Sequence, residues 1–521
     1  MIDLLIVLAF VAYAVTAGFR ARSKASESLE EYFLAGKTLR GWHAGTSMAA
    51  TQFAADTPLL VTGLVATAGI FAVWRLWIYA LAFLLLAFVF AAHWRRAGVL
   101  TDAELTELRY SGRGVLPLRV LKAVYYGTVI NCVVLAMVLV AAVRIAEVFL
   151  PWHLWLPPGV HEPVVALVRA VGVPLDSGAT GVGTWVATAN NLISIMGILA
   201  FTALYSMTGG LRSVVATDIG QFLLAMVGTA AYAWMVTAEV GGLSAIPSRL
   251  DALYGEAASD ILAFAPPAGE ALMPFLVIVG LQWLFQMNSD GTGYLAQRSM
   301  ACRTTGDART AGVVFAWLQI FLRSLFWLVI AVGLLILYPF TPADVAAEGF
   351  AASREVLFVV GIDELLPVGL RGLMLTGLLA ALASTVDTHL NWGASYWSND
   401  IYQRLIARHW LKREPGSREL VVVARLSNVL ILVIALVVMA NLGSIQNAWF
   451  VSLLFGAGMG AVLVLRWLWE RINLWSEVAA MGVSLALAPV LLATTDQEWI
   501  RLASMAGAST FAAIAVTFVT P

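Results

Sequence analysis

The chain has 521 residues, 60% hydrophobic and 12% charged, with a formal net charge of −1 and a mean hydropathy of +0.85. Soluble domains carry roughly 25% charged residues, so this composition excludes a water-soluble fold and implies an all-α, polytopic protein held in the lipid bilayer. The balanced charge offers nothing to nucleic acid, and no soluble-looking block longer than about 30 residues divides the chain, which reads as one membrane domain over 1–521.

The first apolar run has no basic residues ahead of it and no small-residue cleavage site before Arg20, Arg22 and Lys24, so it reads as a retained helix and not a signal peptide. A crossing takes about 20 apolar residues, and on that ruler about thirteen spans follow: 2–19, 42–65, 68–92, 120–150, 186–206, 214–238, 271–296, 311–338, 367–400, 419–441, 446–466, 476–494 and 499–519. Basic residues gather on alternate connections: Lys37 and Arg40, then Arg95, Arg96, Arg109, Arg113 and Arg119, then Arg298, Arg303 and Arg309, then Arg404 to Arg418, then Arg466 and Arg471. An odd span count puts all of them on one face, and the positive-inside rule makes that face cytoplasmic in the plasma membrane, with the N-terminus outside and the C-terminus inside. The opposite connections, 151–185, 239–270 and 339–366, are poor in Lys and Arg, as that orientation requires. Trp152 and Trp155 among prolines read as an interfacial aromatic belt. Cys132 and Cys302 lie in or beside apolar segments and read as packing residues.

Two spans are interrupted by polar and small residues. One reads Thr51-Gln52-Phe53-Ala54-Ala55-Asp56-Thr57-Pro58, the other Gln286-Met287-Asn288-Ser289-Asp290-Gly291-Thr292-Gly293. Paired broken helices at matching points of two repeats mark a transporter binding site, because unwound backbone is tolerated at membrane depth only where it lines a cavity. Pro58 also lacks an N–H, which frees an acceptor where a cation needs one.

Ionisable groups at mid-membrane cost at least about 2.5–3.5 kcal/mol and need a reason. Asp56, Asp218, Asp290 and Asp387 are such carboxylates; Arg75, Lys122, Arg323 and His389 are basic counterparts, the first two near enough to span ends to snorkel. In the span 367–400, Ser384, Asp387 and Asn391 share one helix face, with Thr385, Thr388 and His389 on the adjacent stripe. Sodium is a hard ion that takes oxygen ligands, and hydroxyls with freed carbonyls supply them. The same hydroxyls also serve ordinary helices, bonding one turn back or to a neighbour.

Four segments resemble signatures of the sodium:solute symporter family, which includes sodium/proline and sodium/glucose carriers. They are Glu31-Tyr32-Phe33-Leu34-Ala35-Gly36-Lys37-Thr38-Leu39, the run Gly209-Gly210-Leu211-Arg212 to Thr217-Asp218-Ile219-Gly220-Gln221, the pair Gln297-Arg298, and Ser384-Thr385 followed by Asn399-Asp400-Ile401-Tyr402. The resemblance implies a LeuT-type inverted repeat of five helices (42–238) plus five (271–466), with one extra helix and linker before it (1–41) and two helices after it (467–521). It also implies a sodium site made by carbonyls of Ala54, Thr57 and Ala381 with the hydroxyls of Ser384 and Thr385. Asp56 matches an aspartate of the proline-carrier branch, and Asp218 matches the family's aspartate on the cytoplasmic sodium path. Positions that align with polar sugar contacts are Val61 and Phe285, which argues against a sugar. Asp387, Asn288, Asp290 and Gly291 depart from the relatives' residue types.

These readings converge on a sodium-coupled symporter of a small polar solute. The candidate solute residues are Gln52, Asp56, Gln282, Gln286, Asn288 and Asp290, and Asp218 with Asp387 is a candidate site for a second cation or a proton. A half-helix N-terminus suits a carboxylate and Asp290 suits an ammonium, which points to an amino acid or an amine. Asp387 pairing with His389 or Arg323 is the plainer alternative for that residue. Proton coupling and a transport-derived membrane sensor are the alternative functions. No metalloprotease, nucleophile-elbow or phosphate-loop motif suggests an enzyme, and no motif specifies the oligomeric state.

Overall fold

A computed structural model of the chain describes residues 2–25, 27–176, 180–266, 268–269, 271–285, 289–347, 349–442 and 444–520. Among these the regular structure is helical, and β-type pairing is confined to an isolated Leu39–Cys302 bridge. Among the described residues nine helices are long and apolar enough to cross a membrane and four shorter apolar helices accompany them, which matches the expected spans.

In chain order the helices are α1 (Ile2–Ala25), α2 (Gly41–Gln52), α3 (Asp56–Ala68), α4 (Ile70–Ala97), α5 (Val115–Phe149), α6 (Thr184–Ala200), α7 (Gly210–Glu239), α8 (Leu272–Phe285) and α9 (Tyr294–Ala301). They continue as α10 (Thr305–Leu337), α11 (Phe350–Leu365), α12 (Leu370–Trp410), α13 (Ser417–Met439), α14 (Ile445–Leu468), α15 (Leu474–Thr494) and α16 (Glu498–Val519). The pairs α2/α3 and α8/α9 are each the two halves of one expected span. Pro58 falls in the first turn of α3, where helical N–H groups have no partner to lose. Around the second break Gly291 holds φ +81, a left-handed conformation open to glycine.

The halves of the first broken helix pack differently: α2 lies against the first half of α10, whereas α3 lies against the second half of α10 and against α11. α12 packs against α7 and α1, and α14, α15 and α16 pack together at the far side.

The four signature segments act as ties at the basic end. Gly210 has φ +58, and a Cβ there would sit 2.6 Å from the Tyr32 carbonyl oxygen, so a glycine at this position lets the Tyr32 segment lie on it. Arg212 pairs with Glu31 at 3.0 Å and donates to the Ala35 carbonyl at 2.8 Å. The Leu39 N–H donates to Ala301 at the end of α9, and the Arg303 N–H donates back to Leu39. Asp400 accepts from Arg119 at 2.5 Å and from Thr101, both buried. Cys132 and Cys302 are free and buried.

Candidate solute and ion site

The breaks leave backbone carbonyls without helical partners, and side chains from other helices take them up. Thr385 of α12 donates to the Thr51 carbonyl at 3.1 Å and to its own Ala381 carbonyl at 2.9 Å. Arg323 of α10 donates to the Gln52 carbonyl. At the second break, Trp94 donates to the Asp290 carbonyl at 2.7 Å and Ser289 donates to the Gly460 carbonyl.

Beside the first break lies a cavity of about 130 Å³. Gln52, Ala54, Asp56, Thr57, Tyr294, Arg323, Thr385 and Trp449 are among its walls. The Gln52 amide donates to the Tyr294 hydroxyl and accepts from Gln319 at 3.4 Å. Asp56 is 6% exposed, and its Oδ1 has no hydrogen-bond partner among the described residues.

Of the five expected sodium-ligating positions, Ala54, Thr57 and Thr385 line the cavity, whereas Ala381 and Ser384 are buried on α12 outside its lining. The Ser384 hydroxyl donates to Asp218 at 2.5 Å, which turns its lone pairs outward. Ser47 donates to the other Asp218 oxygen. Asp218 is fully buried, with the Arg298 guanidinium 3.8 Å away. Arg298 donates to Thr388 at 2.7 Å and to Ser47 and Thr51 at 3.3 Å, and Asp387 also lies within its Coulombic range. Arg298, expected among the loop cations and as part of the Gln297-Arg298 signature, is instead fully buried between two carboxylates, an arrangement visible only when α7, α9 and α12 are brought together.

Three other solute candidates are placed differently. Asp290 is fully buried away from the cavity, held by Arg466 at 2.6 Å, by the Trp467 indole at 2.8 Å and by Thr292 at 2.7 Å. Arg466 was counted among the loop cations, yet it is buried at the end of α14 and also approaches Glu477 at 3.9 Å. Gln282 donates to the Arg75 carbonyl at 2.7 Å and to Tyr79, and so braces α8 on α4 outside the cavity lining. Gln286 and Asn288 lie outside the described residues. Nor do Lys122 and Arg75 snorkel: Lys122 is 1% exposed and pairs with Glu477 at 2.7 Å, and Arg75 pairs with Glu498 at 2.6 Å.

On the face opposite the basic loops, α11 carries the buried Glu355, whose carboxylate accepts the N–H groups of Gln446 at 2.9 Å and Ile445 at 3.3 Å. These are the unsatisfied donors at the start of α14. Gly63 of α3 makes room for the side chain, since a Cβ there would touch Glu355 Cγ at 3.0 Å. Glu355 therefore joins α11, α3 and α14 above the cavity. Burial pushes its pKa up to about 7; the two backbone N–H groups and Arg144 pull it down, and Asp56 pushes it up.

A cavity at the break of one of two discontinuous helices, with hydroxyls and freed carbonyls on its wall, defines a secondary transporter of small solutes and ions. Residues 32–156 and 163–483 match the sequence profile of the Sodium:solute symporter family, and the chain belongs to that family. It is 25% identical to a sodium/glucose cotransporter of Vibrio parahaemolyticus over 92% of this chain and 83% of that one. It is 23% identical to sodium/glucose cotransporter 1 of Oryctolagus cuniculus over 85% of this chain and 64% of the relative. A substrate-bound, outward-open sodium-coupled sialic acid symporter superposes with a TM-score of 0.72 at 18% identity, covering 100% of this chain and 98% of the other. The fold is thus the LeuT-type one expected.

Glu355 gives the junction of α11, α3 and α14 a pH signature. Its folded-state pKa stands above the ordinary value of roughly 4.3, so its contribution to stability is complete below that value and is lost as the pH rises through about 7. Thermal unfolding of wild type and Glu355→Gln between about pH 4 and pH 8 should show wild type losing stability relative to the variant as the pH rises. Parallel curves would contradict the placement of this carboxyl.

Proposed function

We propose that this protein is a sodium-coupled symporter that imports a small polar solute, an amino acid or an amine, by alternating access across the plasma membrane. The N-terminus lies outside and the C-terminus in the cytoplasm. The observation that carries the reading is the junction of α2/α3 with α12, where the Thr385 hydroxyl meets the Thr51 and Ala381 carbonyls and shares the cavity wall with Ala54 and Thr57. A hard cation takes such neutral oxygens readily, and its binding there fixes the geometry of the break on which the cavity depends. The buried carboxylate of Asp56 in the same wall suits an ammonium group better than a neutral sugar. The glucose in the relatives' names belongs to those proteins.

The sodium site is tested by replacing both hydroxyls. Ser384→Ala with Thr385→Ala should raise the sodium concentration for half-maximal uptake at least about tenfold, equivalent to about 1.4 kcal/mol. An unchanged sodium dependence in the folded double variant refutes the assignment.

A second cation or a proton moves with the first. Asp218 and Asp387 are buried carboxylates that both lie within reach of the Arg298 guanidinium, and two like charges near one another in a low-dielectric site favour a further cation or a proton. Reversal potentials in proteoliposomes should report more than one positive charge per net-neutral solute, falling toward one in Asp387→Asn. A ratio of one in wild type, insensitive to that substitution, contradicts the second ion.

A further inference from the structure

The cavity wall carries two buried charges of opposite sign that do not meet. Asp56 opens α3 and is 6% exposed; Arg323 sits mid-way along α10 and is 3% exposed. They lie within Coulombic range of each other, yet neither has an ion-pair partner among the described residues. Arg323 is held where it is by its bond to the Gln52 carbonyl and by its guanidinium stacked on Trp327, 4.5 Å from the ring centre. Its Nε, like Asp56 Oδ1, has no hydrogen-bond partner among the described residues.

Three buried pairs elsewhere in this protein close their charges directly, Arg466 with Asp290, Lys122 with Glu477 and Arg119 with Asp400, and the buried Asp102, Arg354 and Glu355 are held by hydrogen bonds to neighbouring groups. Leaving a buried charge without a partner costs several kcal/mol, so two such charges held apart on one cavity wall call for a ligand that bridges them. The start of α3 cannot hold an anion through its exposed N–H groups, because Asp56 already places a carboxylate in that first turn. A guanidinium is the side chain whose fork matches a carboxylate in two-point fashion.

We propose that the solute is a zwitterion, an amino acid or an N-alkylated amino acid, whose carboxylate is held by Arg323 and whose ammonium is held by Asp56. This rests on the symport reading and narrows it, since it excludes simple amines as well as sugars. Arg323 then sets specificity, and Tyr294 and Trp449 bound the space left for the solute's side chain.

The test is sodium-dependent thermal stabilisation of the purified full-length protein. The probes are the protein amino acids, each beside its carboxamide and its decarboxylated amine, together with glucose and myo-inositol. At least one amino acid should stabilise the protein in sodium and not in potassium, with its amide and its amine weaker by about a hundredfold, as expected where a hydrogen bond to a charged group is lost. Arg323→Gln should bring the acid down to the level of its amide while sodium alone still stabilises the variant; Arg323→Lys should fall between. Because the acid-to-amide comparison is also made in wild type, a variant that fails to fold does not rescue the idea. An amide or an amine that binds as well as the acid, a sugar or polyol that binds in place of every amino acid, or no amino acid binding at all overturns the zwitterion clamp. Those results leave symport standing if sodium dependence persists; stabilisation by solute without any need for sodium overturns symport itself.

Discussion

Backbone polar groups inside a membrane have no water to turn to, and the interruptions at 53–55 and near 289–293 expose several of them at once. What satisfies those groups fixes where the rest of the protein must be. Thr385 reaches the Thr51 carbonyl and Arg323 reaches the Gln52 carbonyl, so α12 and α10 are pinned to the first break. Trp94 of α4 reaches the Asp290 carbonyl at the second break, and Ser289 of that break donates to the Gly460 carbonyl of α14. The cavity beside the first break is a consequence of this accounting.

Charge is distributed on the same logic. Toward the basic face, the buried Asp290, Arg466, Glu477 and Lys122 form one connected group of ion pairs. Such pairs are costly to break from one side, which makes them suitable as scaffolding between α5, the second break, α14 and α15. Beside the first break the charges are left apart, and Glu355 caps α14 above them. The protein thus spends its closed pairs on holding helices together and keeps open ones for a passenger.

The spans, both breaks and the basic face were legible because each depends on local composition: apolar length, clustered polar residues and alternate charged loops. Asp56 and the Ser384–Thr385 pair were legible for the same reason, being unusual residues inside apolar runs. Asp290 was misplaced because its partner, Arg466, lies 176 positions away and looked like an ordinary loop cation. Lys122 and Arg75 were read as snorkelling for want of Glu477 and Glu498, which approach only in the folded bundle. Arg323 stood out as a cation within a span, but its place in the site depends on Gln52 and Trp327, contacts that no periodicity encodes.

The central claim is that the sodium gradient drives solute across this fold. Proteoliposomes given a uniformly labelled mixture of amino acids measure it directly, with an inward sodium gradient in one arm and an inward proton gradient in sodium-free buffer in the other. The account predicts accumulation in the sodium arm that collapses with a sodium ionophore, and none in the proton arm. Accumulation driven by the proton gradient alone would contradict it.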